Sequence, residues 1–218
     1  MLLDLFLIGL VVTLEPIPLT AMILLLATEH GLMKGVGYVL GWMLTLVGIV
    51  AVTVLVTGGK PLIPHSNPST GALALKLAIG VVLVFIAYRR WGSWESAEPK
   101  GQPRWMAAIN RINPLSAAGL AFLLQPWVLV AAGVTTITTA NLQTTAEYFA
   151  VFAFCLLSSA SLLVMEIYAA LRPETVQEKL SALLNWITTH RDQVIVFLSL
   201  GLGLYLMAKS IFGLVNGN

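Results

Sequence analysis

Charge is scarce in this chain. Asp, Glu, Lys and Arg make up 10% of its 218 residues, where a soluble domain carries about 25%. With 58% hydrophobic residues and a mean hydropathy of +0.88, that shortage excludes an ordinary soluble fold and predicts an all-α integral membrane protein. Cysteine is nearly missing too. The single residue, Cys155, lies in an apolar run, which excludes an intrachain disulfide and two-thiol redox chemistry. Of the histidines, His30, His65 and His190, none stands at ligand spacing from a second His or a Cys, so no metal site is expected. There is also no nucleophile elbow, phosphate loop or pair of intramembrane aspartates. An enzyme is therefore disfavoured, and neither catalytic residues nor a cofactor are expected.

Long apolar runs are what the chain has in quantity. A helix needs about 17 to 25 such residues to cross a hydrocarbon core of about 30 Å. Six runs qualify, at approximately 2–27, 36–58, 71–88, 114–138, 146–171 and 194–215. The first lacks a basic leader segment and a small-x-small cleavage site and carries Asp4, so it reads as a span rather than a signal peptide.

The few charges are unevenly placed. Arg89, Arg90, Lys100, Arg104 and Arg111 surround the linker between the third and fourth runs, whereas Thr139 to Thr145 holds no Lys or Arg. Putting the basic linker in the cytoplasm places Lys34, Arg172, Lys179 and Arg191 there by alternation and leaves Lys60, Lys76 and Lys209 outside. This predicts both termini outside, in the cytoplasmic membrane. The basic segments then read as topology signals and contacts to anionic lipid, and no nucleic-acid partner is expected.

The polar stretch 92–113 divides the chain into residues 1–91 and 114–218, three runs each. An offset of 110 lays Gly9, Leu14, Pro16 and Ala21 on Gly119, Leu124, Pro126 and Ala131, with Glu15 on Gln125. Three crossings reverse the chain's direction, so the second half enters from the opposite side. The expected fold is thus six transmembrane helices as two inverted three-helix repeats, with the first and fourth helices discontinuous at their prolines. Residues 58–71 read as an external loop. Val176, Leu180, Leu183, Leu184 and Ile187 recur at helical spacing, predicting an amphipathic surface helix over 173–189. Gly37 and Gly41 stand at GxxxG spacing, a sign of close helix approach either within the chain or between copies in a homo-oligomer.

The candidate site follows from the breaks. An ionisable group at bilayer depth costs about 2.5 to 3.5 kcal/mol and marks an ion or substrate route. Glu15 lies thirteen residues after Leu2, about 20 Å along a helix, and is deep from either side. Burial disfavours the charged form of a carboxyl, so exchange of a proton or cation is chemically available to Glu15. Pro16 and Pro18 lack amide hydrogens and should free carbonyls around Val12 and Leu14. Thr13 and Thr20 could complete the site or bond their own helix. Gln125, beside Pro126 and Trp127, is an uncharged counterpart of Glu15 or interhelical glue. Glu166 reads as structural, snorkelling or paired with Arg172.

These residues also carry a resemblance. Glu15-Pro16-Ile17-Pro18, Ala21-Met22-Ile23-Leu24 and Gly37-Tyr38-Val39-Leu40-Gly41-Trp42 resemble the first two spans of the peptidoglycolipid-addressing, or sulfolipid-addressing, proteins of actinobacteria. Gln125-Pro126-Trp127-Val128-Leu129-Val130-Ala131-Ala132-Gly133 resembles their fourth span. The resemblance implies a secondary transporter of the LysE type that exports a lipid-linked or small amphipathic molecule. An accessory scaffold of a cell-envelope lipid export assembly, or a small cation or amino-acid exporter, is the alternative. Two departures stand out: the family usually has a small residue where Glu15 stands, and Asn-Pro-Lys where Gln125-Pro126-Trp127 stands. A carboxylate gained and a lysine lost favour a cationic or proton-coupled partner.

Overall fold

The computed structural model describes residues 2–57, 70–94, 112–138 and 145–216, and in them every regular element is a helix. The first apolar run is two helices, α1 (Leu2–Thr13) and α2 (Pro16–Leu26), meeting at 45°. The break falls where Pro16 leaves the Val12 carbonyl without its i+4 donor. Helix α3 (Gly31–Thr57) follows a short turn closed by a hydrogen bond from the Gly31 amide to the Thr28 carbonyl. Helix α4 (Thr70–Trp94) completes the first half.

The fourth run breaks in the same way. Helix α5 (Pro114–Leu123) starts at a strong cap, in which the Asn113 side chain accepts from the Ser116 amide at 2.7 Å and Pro114 takes the first turn, where a missing amide costs nothing. It meets α6 (Trp127–Thr138) at 71°. Helix α7 (Thr145–Leu171) is continuous, as is α8 (Pro173–Asn216). Four helices are long and apolar enough to span a membrane, and six spans result if each bent pair counts as one.

The region expected to form a separate amphipathic helix, 173–189, runs unbroken into the last span as one helix of 44 residues. Its polar residues up to Gln193 contain no Pro or Gly, and polarity alone does not stop a helix. Helix α4 extends to Trp94, within the expected linker 92–113. The basic segment 95–111 and the loop 58–69 lie outside the described residues.

Packing is densest where small residues permit it. A Cβ on Gly41 would lie 2.5 Å from the Ala118 Cα, and one on Gly37 would strike the Pro114 carbonyl, so α3 and α5 touch backbone to backbone and run parallel. The GxxxG face is therefore used within the chain. Helix α1 runs parallel to α7, with Gly9 against Phe154 and Ser158, and Thr13 against Ser161. Helices α4 and α8 make the most extensive pair and are antiparallel, Gly80 meeting Gly203 and Arg90 meeting Asp192. At the opposite end of that pair, buried Asp4 of α1 is held by Lys209 at 2.6 and 2.8 Å and by the Tyr205 hydroxyl at 2.6 Å. The outer surface is largely apolar, with Leu40, Leu44, Leu55, Phe85 and Phe152 exposed, as lipid-facing helices require.

Candidate functional site

The two breaks are built alike. At the first, the Glu15 amide reaches the Val12 carbonyl at 3.3 Å; at the second, 110 residues on, the Gln125 amide reaches the Phe122 carbonyl at 3.4 Å. Each is an i to i+3 bond replacing the one that the next proline cannot donate. The carbonyl expected to be free at Val12 is thus occupied. Leu14 differs, because its i+4 residue is Pro18, which has no N–H to offer.

Glu15 stands at the N-cap of α2 with extended backbone, φ −63° and ψ 121°, and its side chain makes no capping hydrogen bond. Pro16 and Pro18 are buried behind it. The Pro18 carbonyl accepts from the Tyr38 hydroxyl at 3.4 Å, which fastens α3 to the first turn of α2. Tyr38 and Trp42 are both fully enclosed, and the Trp42 indole Nε1 has no hydrogen-bond partner among the described residues.

Gln125 is 3% exposed, and neither its Oε1 nor its Nε2 has a hydrogen-bond partner among the described residues. Among the described residues it makes no hydrogen bond to Glu15 or to a neighbouring helix. An orphaned buried amide costs about 1 to 3 kcal/mol, and few native side chains are left this way.

The neighbouring candidates divide by role. Thr13 closes the end of α1 onto α7: its Oγ1 bonds the Ser161 hydroxyl at 3.1 Å and accepts from the Ser161 amide at 3.0 Å, while the Ser161 hydroxyl donates to the Thr13 carbonyl at 2.6 Å. Thr20 donates to the Pro16 carbonyl of its own helix at 2.8 Å. Pro126 is half-buried, and its carbonyl accepts from Leu129 at 2.9 Å and Val130 at 3.0 Å, which starts α6. Trp127 is 40% exposed and packs edge-on against Phe122, with ring centroids 4.9 Å apart.

Two residues near the break were hidden in the sequence. Arg90 and Arg191, grouped there with the cytoplasmic surface charges, both act electrostatically on the Glu15 carboxylate. Arg90 donates to Asp192 at 3.0 Å, while the Arg191 Nε is buried without a hydrogen-bond partner among the described residues. Glu166 also departs from expectation. Its Oε2 is buried without a hydrogen-bond partner and lies against Gly35 of α3, not in a pair with Arg172.

Apolar helices of spanning length, two of them broken, with polar side chains held unpaired inside, define a multi-pass helical membrane protein. More narrowly, the chain belongs to the Sap, sulfolipid-1-addressing protein, family, whose profile matches residues 5–212. Neither the curated proteins nor the solved structures contain a match to it.

Proposed function

We propose that this protein is a secondary transporter of the LysE type, exporting a lipid-linked or small amphipathic molecule across the cytoplasmic membrane. In this reading the chain forms two inverted repeats with both termini outside, and Glu15 and Gln125 face the transported molecule from matching breaks near the midplane. Family membership supports a lipid-related role at the membrane.

Helix pairing supports the repeat. Exchanging the halves turns the parallel pair α1 and α7 into the parallel pair α5 and α3, and returns the antiparallel pair α4 and α8 to itself. The observation that carries the proposal is Gln125, a buried amide with every hydrogen-bonding atom vacant, at the position equivalent to a carboxylate that caps nothing. Groups left unpaired in apolar surroundings are retained where a ligand completes them.

Glu15 supplies the proton-exchanging group, and Arg90 and Arg191 offset its charge when it is ionised. The test uses proteoliposomes of native lipid extract with trapped pyranine and an imposed pH gradient. Wild type should dissipate the gradient and Glu15→Gln should not, with both proteins equally folded. Equal rates in the two would end the coupling proposal. A wild-type protein that moves neither protons nor lipid by itself would end the transporter reading.

A further inference from the structure

We propose that Lys76 and Lys209 form a binding site for a phosphate- or sulfate-type oxyanion at the end of the bundle where α1, α4 and α8 meet. The argument begins with an imbalance. Two ammonium groups converge on one carboxylate: Lys209 Nζ lies 2.6 Å from Asp4 Oδ1 and 2.8 Å from Oδ2, and Lys76 Nζ lies 3.9 Å from Oδ2. The Tyr205 hydroxyl already donates to Oδ1 at 2.6 Å. Asp4 is thus satisfied by Lys209 and Tyr205, and Lys76 stands beyond hydrogen-bond distance from it.

Among the described side chains the cluster therefore keeps one positive charge in excess. An ammonium has three N–H donors and no acceptor, and the Lys76 side chain is only 12% exposed. A cation with so little water around it and no acceptor within hydrogen-bond distance among the described residues is costly. What is missing is an anionic acceptor rather than a second cation, because the one carboxylate present is filled.

Exposure differs across the cluster. The Lys209 side chain is 44% exposed while Asp4 is 2% exposed, so the first lysine reaches outward from the buried carboxylate. A tetrahedral oxyanion has several oxygens and can accept from both ammonium groups at once, forming short charge-assisted bonds. The site is separate from the breaks. Asp4 precedes Glu15 by eleven residues, about 17 Å of helix, and the proposal does not depend on transport.

Native mass spectrometry of the full chain in detergent tests it, with phosphatidylglycerol and phosphatidylcholine offered at equal concentration. Wild type should retain the anionic lipid about tenfold better, Lys76→Gln should lose that preference, and Lys76→Arg should keep it. Inorganic phosphate at constant ionic strength identifies the source. A rise in wild-type melting temperature that Lys76→Gln lacks assigns a soluble oxyanion, and a response to phosphatidylglycerol alone assigns a lipid head group. Should Lys76→Gln fail to fold, acetylation of Lys209 in wild type gives the answer, since phosphatidylglycerol and not phosphatidylcholine should slow it. Equal retention of both lipids with no phosphate response, an unchanged preference in Lys76→Gln, or unprotected Lys209 would each overturn the site.

Discussion

Replacing Gln125 by Met should make the protein more stable and less active. Gln125 is 3% exposed with both amide atoms unpartnered, so the resting structure bears the desolvation cost of a carbonyl and an amino group with no bond in return. Methionine follows the same unbranched path and fills the space without polar atoms. Removing an unsatisfied buried group recovers about 1 to 3 kcal/mol. A small packing mismatch offsets part of this, leaving about 1 to 2 kcal/mol. For a chain of this size that corresponds to a rise of about 2 to 8 °C in melting temperature. The assay is thermal unfolding in detergent of wild type, Gln125→Met and Gln125→Asn, alongside flux in proteoliposomes. Met should melt higher with flux lost, while Asn, still polar but shorter, should not share the gain. A fall of 2 °C or more for Met would mean that Gln125 holds helices together, and the argument that its amide is kept for a ligand would fail.

Other consequences are equally direct. Gly41→Ala places a methyl 2.5 Å from the Ala118 Cα and should destabilise by about 2 kcal/mol or more as α3 and α5 separate. Gly48→Ala, with nothing within 4 Å, should stay within about 0.5 kcal/mol of wild type in the same melts. Thr13→Val removes the two hydrogen bonds that the Thr13 hydroxyl makes with Ser161, while the Ser161 bond to the Thr13 carbonyl stays, and should cost about 1 kcal/mol. Adding Ser161→Ala removes the remaining 2.6 Å bond to the Thr13 carbonyl and should cost less than Ser161→Ala alone, because the hydroxyl–hydroxyl bond is already gone; full additivity in that double-mutant cycle would show that the two residues act separately.

Proline made much of this architecture legible. The breaks fall at Pro16 and Pro126 because a missing amide is a property of the residue itself, readable without any neighbour. The helices Leu2–Leu26 and Pro114–Thr138 accordingly bend where the prolines stand. Span positions were legible for a similar reason, since apolar length is counted along the chain. The side-chain environment was not. Asp4 meets Lys209 across 205 positions of sequence, and no spacing rule connects them. Arg191 reads as surface charge because it sits among polar residues, yet the continuity of α8 brings it within electrostatic reach of Glu15. Thr20 could have been a ligand or its own helix's partner, and only the 2.8 Å bond to Pro16 decides for the second.

Helix α8 has a mechanical consequence. Its 44 residues amount to about 66 Å of unbroken hydrogen-bonded rod, against a hydrocarbon core of about 30 Å. Asp192 and Lys209, the two anchorages along it, are 17 residues and so about 26 Å apart on one stiff shaft. The two broken spans are elbows, able to change angle without unwinding a turn, whereas α8 has no such joint. Lys209 and Asp192 with its partner Arg90 are therefore held at a fixed separation by one uninterrupted helix.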